Sequence, residues 1–208
     1  MALTGLVFIG YVIAHMYGNL KVFGGQEAFD GYAEHLRELG EPILPHEGAL
    51  WIIRVVLLVA VVAHFWAAIS LWRQAKRARP QRYVTKKSVA QSYASRTMRW
   101  GGVIVLLFII WHILDLTTGT VNPDGHDTTP YDRLVASFSN PFSTAFYVLA
   151  LVLLGMHLRH GIWSATQTLG QSNRQRERPV NDFALVFSTA LIAGFLIVPF
   201  SVLFGLVD

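Results

Sequence analysis

The chain has 208 residues, of which 53% are hydrophobic and only 14% charged, with a mean hydropathy of +0.42. A soluble domain carries about 25% charged residues to cover its surface, so a soluble enzyme of ordinary type is excluded. The lack of any cysteine excludes disulfides, thiolate zinc sites, cysteine-ligated iron–sulfur clusters and covalently attached haem; the net charge of +4 leaves nucleic acid and lipid both open as partners.

Five apolar runs follow one another along the chain. The first, Leu3–Leu20, has no charged residue. It lacks a basic leading region and a small-residue exit, so it is read as a retained helix rather than a cleaved signal. Beyond it Phe29, Tyr32, Ala33 and Leu36 recur at helical spacing, and Phe29–Leu39 is expected to be a short helix on the membrane surface. Gly40, Pro42 and Pro45 then break the chain. The second run, Val55–Trp72, extends back through Ala49 with Arg54 snorkelling, which predicts a helix over about 50–72. The third, Trp100–Leu114, is shorter and closes on Asp115, Thr117 and Thr118; its helix is expected over about 98–118. Pro123 and Gly125 mark a turn in the connection that follows. Pro141–Leu158 opens a helix over 141–168, and Phe183–Val207 predicts the last, over 183–207. Crossing a ~30 Å hydrocarbon core takes about 20 helical residues. One such run could be the buried core helix of a soluble protein; five in this length cannot. The expected fold is all-α, a transmembrane bundle of five helices forming a single membrane domain.

Charge orients the bundle. Between the second and third runs Arg73, Lys76, Arg77, Arg79, Arg82, Lys86, Lys87, Arg96 and Arg99 occur with no acid. Arg159, Arg174, Arg176 and Arg178 follow the fourth run, so 13 of the 17 basic residues lie on one side. The other two connections hold Glu27, Asp30, Glu34, Glu38, Glu41, Glu47, Asp115, Asp124, Asp127 and Asp132. By the positive-inside rule the N-terminus is cytoplasmic and the C-terminus outside. The basic residues sit beside lipid headgroups, so no nucleic-acid partner is expected.

Of eight histidines, His35, His46 and His126 are assigned to polar loops. His15, His64, His112 and His157 fall one in each of the first four runs, which contain no Lys, Asp or Glu. Polar side chains at depth face a partner, a cavity or a cofactor. An interhelical hydrogen bond explains any one of them alone; depth separates the readings. His15 lies about 8 Å and His112 about 3 Å below the outer edge. His64 and His157 lie about 22 Å and 24 Å below it. The histidines therefore sort into two pairs, each with members on different helices. Two imidazoles at one level suit the axial positions of a haem iron, whereas zinc takes three or four ligands together. A proton relay would more often include carboxylates. His160, one turn beyond His157, competes with it as ligand; otherwise His160 and Arg159 are placed to contact haem propionates.

The segments MALTGLVFIGYVIAHMYGNLKVFGG, LWIIRVVLLVAVVAH and HLRHGIWSATQTLG resemble one family over nearly the whole chain. It is that of the single-chain, five-helix, dihaem cytochrome b anchors of succinate dehydrogenases, related to those of dihaem fumarate reductases. The block His15–Leu20 is the most specific piece. The resemblance implies two b haems enclosed by helices 1–4, the distal one on His15 and His112 and the proximal one on His64 and His157. It implies a flavoprotein and an iron–sulfur subunit docked on the cytoplasmic face of a bacterial cytoplasmic membrane, and a quinone, often menaquinone, as electron partner. Assembly of such complexes into higher oligomers is left open. Relatives carry a short basic segment before Met-Ala-Leu-Thr-Gly that this sequence lacks. The chain itself has no dinucleotide-binding glycine motif, so dehydrogenation belongs to its partners. His46, Glu47 and Trp51, at the mouth of the second helix, are candidates for a quinone site, against the alternative that Glu47 is one acid of a solvated loop. Trp66, Trp100 and Trp163 read as interfacial belt. Two rivals stay open: the anchor of a quinol:fumarate reductase, and a haem-free structural anchor or small transporter.

Overall fold

The computed structural model describes residues 1–78, 90–171 and 173–208, with the backbone alone for 90–97. Helix α1, Ala2–Leu20, passes through a single 3-10 turn, Lys21–Gly24, into α2, Gly25–Glu38. Then come α3, Gly48–Arg77; α4, Ala90–His112, which continues as a π-helical turn, Ile113–Thr117; α5, Pro130–Ser139; α6, Pro141–Thr168; and α7, Glu177–Leu203. There is no strand among the described residues. Five helical segments are long and apolar enough to cross a membrane, the third of them Met98–Thr117.

Local chemistry sets the boundaries. Thr129 caps α5 by accepting from the Asp132 amide, with Pro130 in the first turn. Asn140 repeats the device for α6, accepting from the amides of Phe142 and Ser143 ahead of Pro141. With ψ of 116° at Asn140, the chain turns a corner there and α5 folds back across the end of α6. At the C-terminus α7 stops at Gly205, whose φ of 67° lets the Leu206 amide donate to the Ser201 carbonyl.

Several expectations are corrected. The connection after the third span holds α5 as well as the turn at Pro123 and Gly125; the stripe Tyr131, Leu134, Val135 and Phe138 covers only two turns of helix and was not read. Helix α7 starts at Glu177 and ends at Leu203, several residues ahead of the apolar run, because the polar first turn already has helical backbone. Helix α4 begins at Ala90 for the same reason. His35 lies on α2 rather than in a loop. Arg79, Arg82, Lys86, Lys87 and the side chain of Arg96, most of the basic connection, lie outside the described residues.

Among the described residues the spans form a row, α3–α1–α6–α4, with α7 against α6 and α1. Small residues permit the closest approaches. A Cβ on Gly155 of α6 would lie 2.8 Å from Cγ1 of Ile192 on α7, and one on Gly194 of α7 would overlap the Met16 side chain of α1. Helix α3 packs on α1 and α2, while α4 packs on α6; among the described residues α1 and α4 do not pack closely, nor do α3 and α6. One core, around Leu134, Phe138, Tyr147, Ala150 and Val198, fills the end of the bundle under α2 and α5. A second, Leu151, Leu191, Ile192 and Phe195, lies between α6 and α7. Leu58, Val59, Val62 and Trp66 of α3 stay exposed, as lipid-facing positions do.

Candidate functional site

The four span histidines occupy matching registers. His15 lies five residues before the end of α1, and His112 five before the end of its span at Thr117. The π-helical turn carries that span beyond Leu114, so His112 sits at the depth of His15 rather than nearer the edge. His64 and His157 each lie sixteen residues after the first residue of their helices, Gly48 and Pro141. The His15 and His112 rings have centroids 5.6 Å apart at an interplanar angle of 87°. Those of His64 and His157 are 6.2 Å apart at 52°. Each pair joins two helices that do not pack closely among the described residues, so the imidazoles themselves make the contact between them.

Neighbouring side chains hold the rings. His15 stacks on Tyr11 at 5.3 Å and lies 5.9 Å from Phe195. His112 sits between Phe108 and Tyr147, at 5.7 and 5.9 Å. His64 meets Phe8 edge-on at 5.6 Å. Its Nδ1 is 2.9 Å from Thr4 Oγ1, while that hydroxyl donates to the Met1 carbonyl at 2.9 Å. With the hydroxyl proton so used, Nδ1–H is the donor to Thr4, and the lone pair of His64 Nε2 is left free. Among the described residues the Nδ1 atoms of His112 and His157 are buried without a partner, an arrangement that costs about 1–3 kcal/mol each. Gly102 of α4 lies against His157: a Cβ there would sit in van der Waals contact, 3.5 Å from Cε1.

These observations test what the pairs could hold. No group of three or more His, Cys, Asp or Glu is gathered as a metal site among the described residues. A metal bound by two imidazole nitrogens at about 2 Å each, on opposite sides, sets ring centres about 6 Å apart. Both pairs have that separation. A planar metal group that needs only two axial nitrogens fits them, and a four-ligand metal does not.

The other candidates lie elsewhere. His160 is half-buried and Arg159 exposed, both on the turn of α6 after His157. His46 is exposed, its Nδ1 3.1 Å from Glu41. Glu47, ahead of α3 with φ of 60°, is held between Arg37 and Arg54, each at 3.6 Å, and Arg54 lies over the Trp51 ring at 4.9 Å. Glu47 thus ties α2 to α3. No ring contact or hydrogen bond among the described residues joins this group to either histidine pair.

The sequence reading missed Asp115. It is 2% exposed, inside the third span, and accepts from Asn122 Nδ2 at 2.8 Å, Ser137 Oγ at 2.6 Å and Tyr147 OH at 2.7 Å. At the end of an apolar run an aspartate reads as a boundary; its donors come from α5, α6 and a loop.

A row of apolar helices with two levels of paired imidazoles defines an integral membrane protein. The chain belongs to the succinate dehydrogenase/fumarate reductase transmembrane subunit family, whose model matches residues 73–197. It is similar to the succinate dehydrogenase cytochrome b558 subunit of Bacillus subtilis (strain 168), at 23% identity over 192 residues, covering 91% of this chain and 88% of that one. No solved structure gives a significant match.

Proposed function

We propose that the chain is the cytochrome b anchor of a succinate:quinone oxidoreductase, holding one haem b on His15 and His112 and a second on His64 and His157. The observation that carries this reading is the pair of imidazole couples, each joining two helices at ring separations of 5.6 and 6.2 Å. Bound there, the haems supply one-electron relays between an iron–sulfur subunit and a quinone, menaquinone by the family resemblance. The chain's own residues do the positioning. Tyr11 and Phe195 set the plane of His15, Phe108 and Tyr147 that of His112, and Thr4 fixes the tautomer of His64. Arg159 and His160 are assigned to propionates at the second level.

By the positive-inside rule the charge bias favours a cytoplasmic N-terminus with the α2–α5 end outside, in a bacterial membrane by the family resemblance. The flavoprotein and iron–sulfur subunits then dock at the opposite end, near Arg73, Lys76, Arg77, Arg174 and Arg176. For the quinone, the mouth formed by His46, Glu47 and Trp51 is the candidate. Glu47→Gln is expected to slow quinone-coupled turnover while leaving both haem bands in place; unchanged turnover removes the assignment.

A reduced-minus-oxidised absorption spectrum of the purified complex tests the haem reading, with a b-type α band as the expected result. His64→Ala is expected to remove one haem and His15→Ala the other. Absence of the band leaves a haem-free anchor as the function, and loss of the same haem in both variants overturns the pairing. Succinate oxidation and quinol-driven fumarate reduction, assayed on the same complex, assign the working direction.

A further inference from the structure

Asp115 is the one buried carboxylate among the described residues, just inside the end of the third span, and the function above leaves it unused. All three of its side-chain partners, Asn122, Ser137 and Tyr147, donate. An ionised carboxylate only accepts, so this shell is built for the anion. No cation forms an ion pair with it among the described residues. Arg133, on α5, directs Nη1 to the Thr117 carbonyl at 3.3 Å instead. An unpaired anion inside a membrane span is expensive and marks function by default.

Its position supplies the function. Asp115 is one turn beyond His112 on the same continuous helical run. It also holds the Tyr147 hydroxyl, and the Tyr147 ring lies edge-on to His112 at 5.9 Å and to Phe108 at 5.1 Å. The carboxylate thus orients an aromatic wall of the His112 ring and stands one helical turn from it. In a low-dielectric interior such a charge acts strongly over a helical turn, and local charge and hydrogen bonding are among the terms that set a haem's potential.

We propose that Asp115 is an anionic positioning residue for the His15–His112 haem, holding Tyr147 against His112 and lowering that haem's midpoint potential relative to a neutral site. This rests on the haem reading above. An anion stabilises the ferric form, which carries one positive charge more than the ferrous, so removing it raises the potential. Ser137 Oγ–H offsets part of the charge, so its removal acts in the opposite sense.

The test is redox titration of the α bands in the purified complex, with His15→Ala and His64→Ala identifying which band belongs to which pair. Asp115→Asn keeps the side chain's shape and removes its charge. It is expected to raise the midpoint potential of the band lost in His15→Ala and leave the other in place. Ser137→Ala is expected to lower the same potential. A purely structural Asp115 would lower thermal stability in both variants without opposite shifts. If Asp115→Asn moves neither potential, or both equally, the inference is overturned while the haem reading stands. If Asp115→Asn does not assemble, Ser137→Ala decides: a lowered potential supports the inference, and an unmoved or raised one overturns it. A wild-type complex without b-type bands overturns both.

Discussion

Asn140 shows how much one side chain decides. Its Oδ1 accepts from the amides of Phe142 and Ser143 at 2.9 and 3.5 Å, and it forms the whole corner between α5 and α6. Asn140→Ala removes the cap but leaves the backbone able to turn. Such a loss costs about 1 kcal/mol, and it is expected to appear as a lower thermal midpoint of the detergent-solubilised protein with the haem bands intact. At the functional site the legible residues were those whose type was improbable in its surroundings. A histidine in each of four apolar runs needs a reason, and depth counted along each run predicts which pairs meet. Asp115 was not legible in this way. It lies at the edge of its run, where an acid is ordinary, and only the fold of α5 brings Ser137 to it and buries it.

At the scale of the helix, apolar length predicted the spans and polar composition blurred their ends. Helix α2 was expected from its spacing and is present, though it starts at Gly25 and joins α1 through a single turn. Helix α5 was missed although Tyr131, Leu134, Val135 and Phe138 recur at helical spacing, because a ten-residue segment inside a polar connection is short for a helix to declare itself. Its stability comes from tertiary burial of Tyr131, Leu134 and Phe138. Packing between spans depends on small residues that no hydropathy count weights. Gly155 lets Ile192 approach, and any larger side chain there must push α7 away. Overpacking a close contact costs about 1–3 kcal/mol. Gly155→Leu is therefore expected to lower the thermal midpoint well beyond an exposed control such as Val152→Leu, and equal midpoints would show that α6 and α7 do not meet as described.

For the whole molecule, orientation is the largest expectation from charge alone. The chain contains no cysteine, so single cysteines can be introduced into the natural sequence and labelled in intact cells. Asp127→Cys, in the exposed connection before α5, is expected to react with a membrane-impermeant maleimide from outside. Gln175→Cys, between α6 and α7, is expected to react only after the membrane is opened. The reverse pattern inverts the orientation and exchanges the outer and inner haem pairs.

Composition and periodicity by themselves determined that the chain is a membrane bundle of five helices, because each span must satisfy its own backbone hydrogen bonds and reports its length as an apolar run. They also determined the two histidine levels, since helical rise converts position into depth. Tertiary structure alone decided which helices touch: among the described residues α1 lies on α6 and α7, while α4 lies on α6 and meets α1 at the His15–His112 ring pair. It alone placed α5 across the end of the bundle and gathered the donors around Asp115. Those arrangements come from contacts between residues distant in sequence, and such contacts leave no periodic trace in any one segment.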